Sequence, residues 1–194
     1  MGRELNMTDP SQPETARKPS HFRQWSFLLS VGLLPLVLVT MFYLPSEIRS
    51  HSALRVKSMN NLEQIRVAIQ LYTKENGGHY PDTFGTLLRN EDITASVFVS
   101  PGSKDTPATG ATPEDIVANL ADGGHLSYVY LGRGLTTTTP GNVVVAYENP
   151  SIWTTGANVL YADGHVEFQP PDYMAGLTSR AAAGQFPVTM PSVP

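Results

Sequence analysis

The sequence predicts an α+β protein in which a long N-terminal helix, transmembrane and then amphipathic, packs on a small antiparallel β-sheet. Three observations predict it: a charge-free apolar run from Trp25 to Leu44, a helical-period stripe from Met59 to Tyr72, and short strand-like runs after Leu126 that include an Asp-Gly turn. With 194 residues the chain has room for one core with appendages.

Residues 1–24 are polar, carry Pro10, Pro13 and Pro19, and are expected to be a disordered cytoplasmic tail. Residues 25–44 follow as the expected transmembrane helix; about twenty residues at about 1.5 Å rise match a hydrocarbon core of about 30 Å. Its anchor residues are Trp25, Leu28, Leu34, Pro35, Leu38 and Tyr43, with aromatic residues at both ends and a kink expected at Pro35. A cleavable signal peptide is the alternative, since Arg17, Lys18 and Arg23 lead the run and Ser50, His51 and Ser52 precede Ala53. Basic residues flank the run on both sides, so charge alone does not orient it.

From residue 45 to residue 172 an extracytoplasmic domain is expected. Met59, Leu62, Ile65, Ile69 and Tyr72 recur at helical spacing and make a packing stripe that needs a partner surface. Asn76, Gly77 and Gly78 end this helix, and Pro81 forces an extended exit. A short helix is expected over Thr83 to Asn90, and a short strand over Val97 to Val99. Thr112 and Pro113, with Glu114 and Asp115 in the first turn, start another helix that runs to about Leu120. Strands are expected over Leu126 to Leu131 and Val143 to Tyr147, joined by a Gly- and Thr-rich loop. Asp163 and Gly164 then predict a two-residue type I′ hairpin. In that register Tyr161 faces Val166 and Val159 faces Phe168 on the core side, while Leu160 faces Glu167 on the other. Residues 173–194 are expected to be a partly disordered C-terminal tail.

Composition narrows the function. The net charge of −4 comes without clustered Lys or Arg, so nucleic acid is not an expected partner. Cysteine is absent, which removes disulfides, thiolate catalysis and Cys-ligated zinc. No Gly-x-Ser-x-Gly elbow frames a nucleophile, and Gly132-Arg133-Gly134 lacks the third glycine and the helix of a dinucleotide loop. The chain is therefore not expected to be an enzyme. His79, His125 and His165 lack metal-ligand spacing.

Several words together resemble one family. Asn60 to Ile65, Ala68 to Tyr72 and Asn76 to Pro81 look like the segment after the N-terminal span of G-type pseudopilin-like proteins. Val97 to Pro101 is similar to that family's "VFxCP" with serine for cysteine, and Ser127 to Tyr130 to its "SYxY". Gly156 to Val166 closely resembles the "NVLFADGHV" ending. The words span about residues 58–168. The resemblance, to type II secretion pseudopilins and type IV pilins, implies a pilin-like fold and a structural subunit of a secretion or pilus-like assembly. It also implies a single pass through the inner (cytoplasmic) membrane, a periplasmic C-terminal domain, and other pilin-like or pseudopilin subunits as partners. Around His21 to Trp25 there is neither the Gly nor the Glu of a prepilin cleavage site, and Trp153 stands where some relatives have a His. A stand-alone anchored binding module that does not polymerise is the alternative.

G-type pseudopilins are thought to hold calcium near the C-terminus, which makes Asp163 a calcium candidate, with Glu148, Glu167 and Asp172 near it in sequence. The alternative is that Asp163 simply opens a tight turn with Gly164, since no D-x-D-x-D-G loop is present.

Overall fold

A computed structural model describes residues 51–189. The expected tail over 1–24, the span over 25–44 and its anchor residues lie outside them, as do residues 190–194. The described chain is α+β, with four helices and one four-stranded antiparallel sheet. Helix α1 covers 51–75, α2 Phe84–Asn90, α3 Pro113–Ala121 and α4 Pro171–Ala182; a 3₁₀ turn covers Ala95–Phe98. Strands β1 Tyr128–Tyr130, β2 Val144–Glu148, β3 Ala157–Tyr161 and β4 Val166–Gln169 lie side by side in chain order.

The stripe on α1 packs as its spacing predicts. Leu62 and Ile65 are fully buried, Ile69 nearly so, and Met59 and Tyr72 are half-buried at the ends. They meet Phe84, Leu87, Phe98 and Leu120 from the connecting segment and Val143, Val145 and Leu160 from the sheet side. Gly77 and Gly78, both at positive φ, turn the chain after α1. Thr83 caps α2, and Thr112 with Asp115 forms a capping box on α3, as the local sequence dictates.

The hairpin departs from expectation. Tyr161 N–H donates to His165 O at 3.0 Å and Gly164 N–H to Tyr161 O at 2.9 Å, so the loop has three residues. Gly164 takes φ +93° while Asp163, like every described non-glycine residue, keeps negative φ, and a type I′ turn needs both positive. The extra residue shifts the register by one: Leu160 faces Val166, Val159 faces Glu167 and Asn158 faces Phe168. Leu160 therefore looks toward α1, and Val159 and Tyr161 look the other way.

That other face is also buried, because α4 covers it. Met174 and Leu177 pack on Val144, Tyr147, Ala157, Val159 and Tyr161. The chain then returns: Val144 N–H donates to Val188 O at 2.9 Å, Val188 is buried, and Thr189 bridges to Val143. Within the expected C-terminal tail of 173–194, the residues through Thr189 thus include most of α4 and the buried Val188, and a boundary at 172 cuts α4. Both faces of the sheet need cover, as the full burial of β2 and β3 shows. The strand expected over Val97 to Val99 is instead largely the 3₁₀ turn, whose Val97 and Phe98 plug the α1 side of the core.

Candidate functional site

Two features stand out once the residues are placed: a buried polar cluster inside the fold, in which Asn158 Oδ1 is left without a hydrogen-bond partner, and an apolar groove on its outside.

The cluster centres on Glu148, the last residue of β2 and fully buried. Ser58 Oγ from α1 and Ser100 Oγ from the loop after the 3₁₀ turn each donate to Oε1 at 2.6 Å. From β3, Asn158 donates to Oε2 through its backbone N–H at 3.4 Å and its Nδ2 at 3.1 Å. The Tyr128 hydroxyl lies 2.9 Å from Ser58 Oγ and donates to the Ser58 carbonyl at 3.3 Å. Burial pushes that hydroxyl up to about 12, an effect reinforced by the Glu148 charge and opposed by the bond to Ser58. Asn158 Nδ2 also donates to the Arg55 carbonyl at 3.2 Å. One side chain thereby joins α1, the 100-loop, β1, β2 and β3. Each carboxylate oxygen has two donors, and the group lines none of the grooves described here, so its chemistry is that of a structural tie. Sequence reasoning missed it because its two serines are 48 and 90 residues from Glu148. The available signal was an acid closing the apolar run Val143 to Tyr147, with Asn158 near the start of the next strand.

Asp163 sits in the hairpin loop beside Gly164. Its Oδ1 accepts from the His165 backbone N–H at 3.0 Å and from His165 Nδ1 at 2.5 Å, and the His165 ring stacks on Tyr161. Burial pulls the Asp163 carboxyl up, but the His165 hydrogen bonds and charge outweigh it and hold the group below its ordinary value. Of the other acids near it in sequence, Glu148 is held in the buried tie and Glu167 accepts from Gln169 Nε2 at 2.8 Å. Among the described residues no three His, Asp or Glu side chains gather where they could hold a metal. Among the described residues the structure thus brings no further His, Asp or Glu ligand to Asp163.

The groove lies on the outer side of α1. At about 100° per residue, Val56, Val67 and Leu71 fall within about 60° of one another, opposite the buried stripe. They are 56%, 44% and 46% exposed, high for apolar residues on a helix already packed by its other face. Val67 and Leu71, with Ala68, Ile93 and Val97, line a groove of about 380 Å³ whose polar margin holds Glu63, Arg66, Glu91 and Asp92. Arg66 Nε pairs with Glu63 at 2.7 Å. Glu91 Oε1 is buried without a hydrogen-bond partner, and burial, then the Glu75 charge, raises its carboxyl above the ordinary value.

Two further depressions flank the fold, one between α2 and α3 lined by Phe84, Val117 and Leu126, the other between Trp153 and Met174. Among the described residues no helix is long and apolar enough to cross a membrane. In comparisons with protein families, characterised proteins and solved structures, no match to this chain was found.

Proposed function

We propose that this chain is a pseudopilin-like structural subunit of a type II secretion or type IV pilus-like assembly. In this reading residues 25–44 anchor it in the inner membrane and a pilin-like domain stands outside the cytoplasm. The observation that carries the reading is the second apolar face of α1. A helix that only closes its own core has one apolar stripe; α1 has Leu62, Ile65 and Ile69 inward and Val56, Val67 and Leu71 outward. An outward stripe on the helix that follows a charge-free run of about twenty residues suits lateral packing against other helices. The word-by-word resemblance from residue 58 to residue 168 supports the same assignment.

The second reading, an anchored binding module that does not assemble, is favoured by one observation: His21 to Trp25 has neither the Gly nor the Glu of a prepilin cleavage site. Single cysteines separate the two, because the chain has none of its own and every disulfide reports one position. Ser30→Cys, Gly32→Cys and Leu36→Cys are oxidised in intact membranes and the chain is sized. An assembling subunit gives dimers or defined heterodimers at one helix face; chains monomeric at all three positions establish the binding module instead.

A further inference from the structure

We infer that β4 is a docking edge: an extended segment of another protein adds to the four-stranded sheet as a fifth, antiparallel strand, carrying a Lys or Arg between two apolar residues. The inference goes beyond the assembly reading and holds whether or not the spans of neighbouring copies pack together.

Register shows which backbone groups are open. Tyr161 N–H donates to His165 O, and the ladder then pairs Leu160 with Val166, Val159 with Glu167 and Asn158 with Phe168. Hydrogen-bonded and non-hydrogen-bonded pairs alternate in an antiparallel ladder, so Glu167 and Gln169 bond to β3 while Val166 and Phe168 turn their N–H and C=O groups outward. The other side of β3 follows the same alternation: Ala162 N–H donates to Val143 O, so Leu160 and Asn158 also turn toward β2. β4 is the last strand of the sheet, and among the described residues the outward groups of Val166 and Phe168 have no backbone partner. Pro170, which lacks an N–H, closes one end of this edge and the hairpin loop closes the other.

An open edge accepts many strands, and charge selects among them. Glu167 lies between the two outward residues, is exposed, and shares the α4 side of the sheet with its partner Val159. Among the described residues its carboxylate is in no ion pair. A second copy is a poor occupant. In the antiparallel register that uses both outward residues, Val166 meets Phe168 and Glu167 falls directly opposite Glu167, a like-charge pair at the closest cross-strand spacing. A Lys or Arg at that position meets the carboxylate instead. On the α1 side the half-buried Val166 and Phe168 offer apolar surface to the flanking residues of the added strand. The Arg55 guanidinium, 4.5 Å over the Phe168 ring, opposes a cation on that side. The two faces thus fix which residues of the partner point where, and a slip by one residue reverses both matches.

The probe is the peptide Gly-Thr-Val-Lys-Val-Thr-Gly, amidated and labelled with fluorescein at its N-terminus, titrated with the full-length chain in detergent micelles and read by anisotropy. The expected result is saturable binding that one N-methyl group on either valine weakens at least about tenfold, while N-methylation of the lysine changes it less than about threefold, because only the valine N–H groups point at β4. Replacing the lysine by glutamate should weaken binding about tenfold, and Glu167→Lys in the protein should restore it for that peptide. The peptide changes leave the protein untouched, so a lost fold does not mimic the pattern. No saturable binding, equal losses at valine and lysine N-methylation, loss at the lysine alone, or indifference to the lysine-to-glutamate exchange would overturn the inference. Anisotropy that falls again as the chain concentration rises would place a second copy on the edge and overturn it as well.

Discussion

At the scale of single residues, Glu148 sets the largest stake. Replacing it with Ala leaves Ser58, Ser100 and both Asn158 donors buried without their acceptor. The expected cost is about 3 kcal/mol or more, a fall in Tm of roughly 10 °C for a domain of this size. Glu148→Gln is the finer probe, since it keeps the shape but turns one acceptor into a donor facing donors; about 2 kcal/mol is expected. Thermal unfolding of both variants checks this, and a change below about 0.5 kcal/mol for Glu148→Ala would mean the cluster ties nothing together. Asp163 predicts a smaller, pH-dependent effect. Its folded carboxyl lies below the unfolded value of 3.8, so its contribution is present above that value and is lost as pH falls through the folded one. The group is half exposed, so the gain is below about 1 kcal/mol. Carboxyl NMR titration should place Asp163 below the ordinary Asp range, and His165→Ala should move it up.

At the scale of elements, the lesson is which local codes suffice. The end of α1 and the starts of α2 and α3 were legible because each rests on neighbours in sequence: Asn76 to Gly78, Thr83, and Thr112 with Asp115. The α1 stripe was legible because five apolar residues share one period. The hairpin was not, because Asp-Gly fits both a two-residue turn and a three-residue loop with Gly at the left-handed position. The choice here is accompanied by tertiary bonds, Ala162 N–H to Val143 O at 2.9 Å and Asp163 N–H to Gly141 O at 3.3 Å. Helix α4 was missed because it starts at Pro170-Pro171 without a side-chain cap and offers the core chiefly Met174 and Leu177. Two predictions follow from these elements. Gly164→Ala forces a side chain to φ +93° and should cost about 1–2 kcal/mol, read as a lower urea midpoint. Truncation after residue 172 uncovers Val144, Val159 and Tyr161 and should leave the domain unfolded or aggregated; a truncated chain with unchanged Tm would show α4 to be dispensable.

At the scale of the whole molecule, the sheet is a middle layer between α1 and α4, and the tyrosines on and around it record how much of it is dry. Tyr80, Tyr128, Tyr130, Tyr147, Tyr161 and Tyr173 are all raised above 10.0, burial being the first cause in each. A raised group favours the folded state fully below the unfolded value, and that contribution is lost as pH rises through the folded one. Stability should therefore hold to about pH 10 and fall steeply between about pH 10 and pH 12, as urea unfolding across that range would show. The outward stripe on α1 was not read from the sequence, because its meaning depends on the opposite face being filled, which only the packed structure displays.

The central claim is that a membrane anchor over residues 25–44 holds this domain outside the cytoplasm, and impermeant thiol labelling tests it most directly. Lys104→Cys, at an exposed position of the domain, and Ser11→Cys, ahead of the apolar run, are each treated with a membrane-impermeant maleimide in intact spheroplasts and after lysis. The account predicts labelling of residue 104 in both conditions, of residue 11 only after lysis, and a chain that stays with the membrane through carbonate extraction. Labelling of residue 104 only after lysis, or a chain released by carbonate, would contradict it.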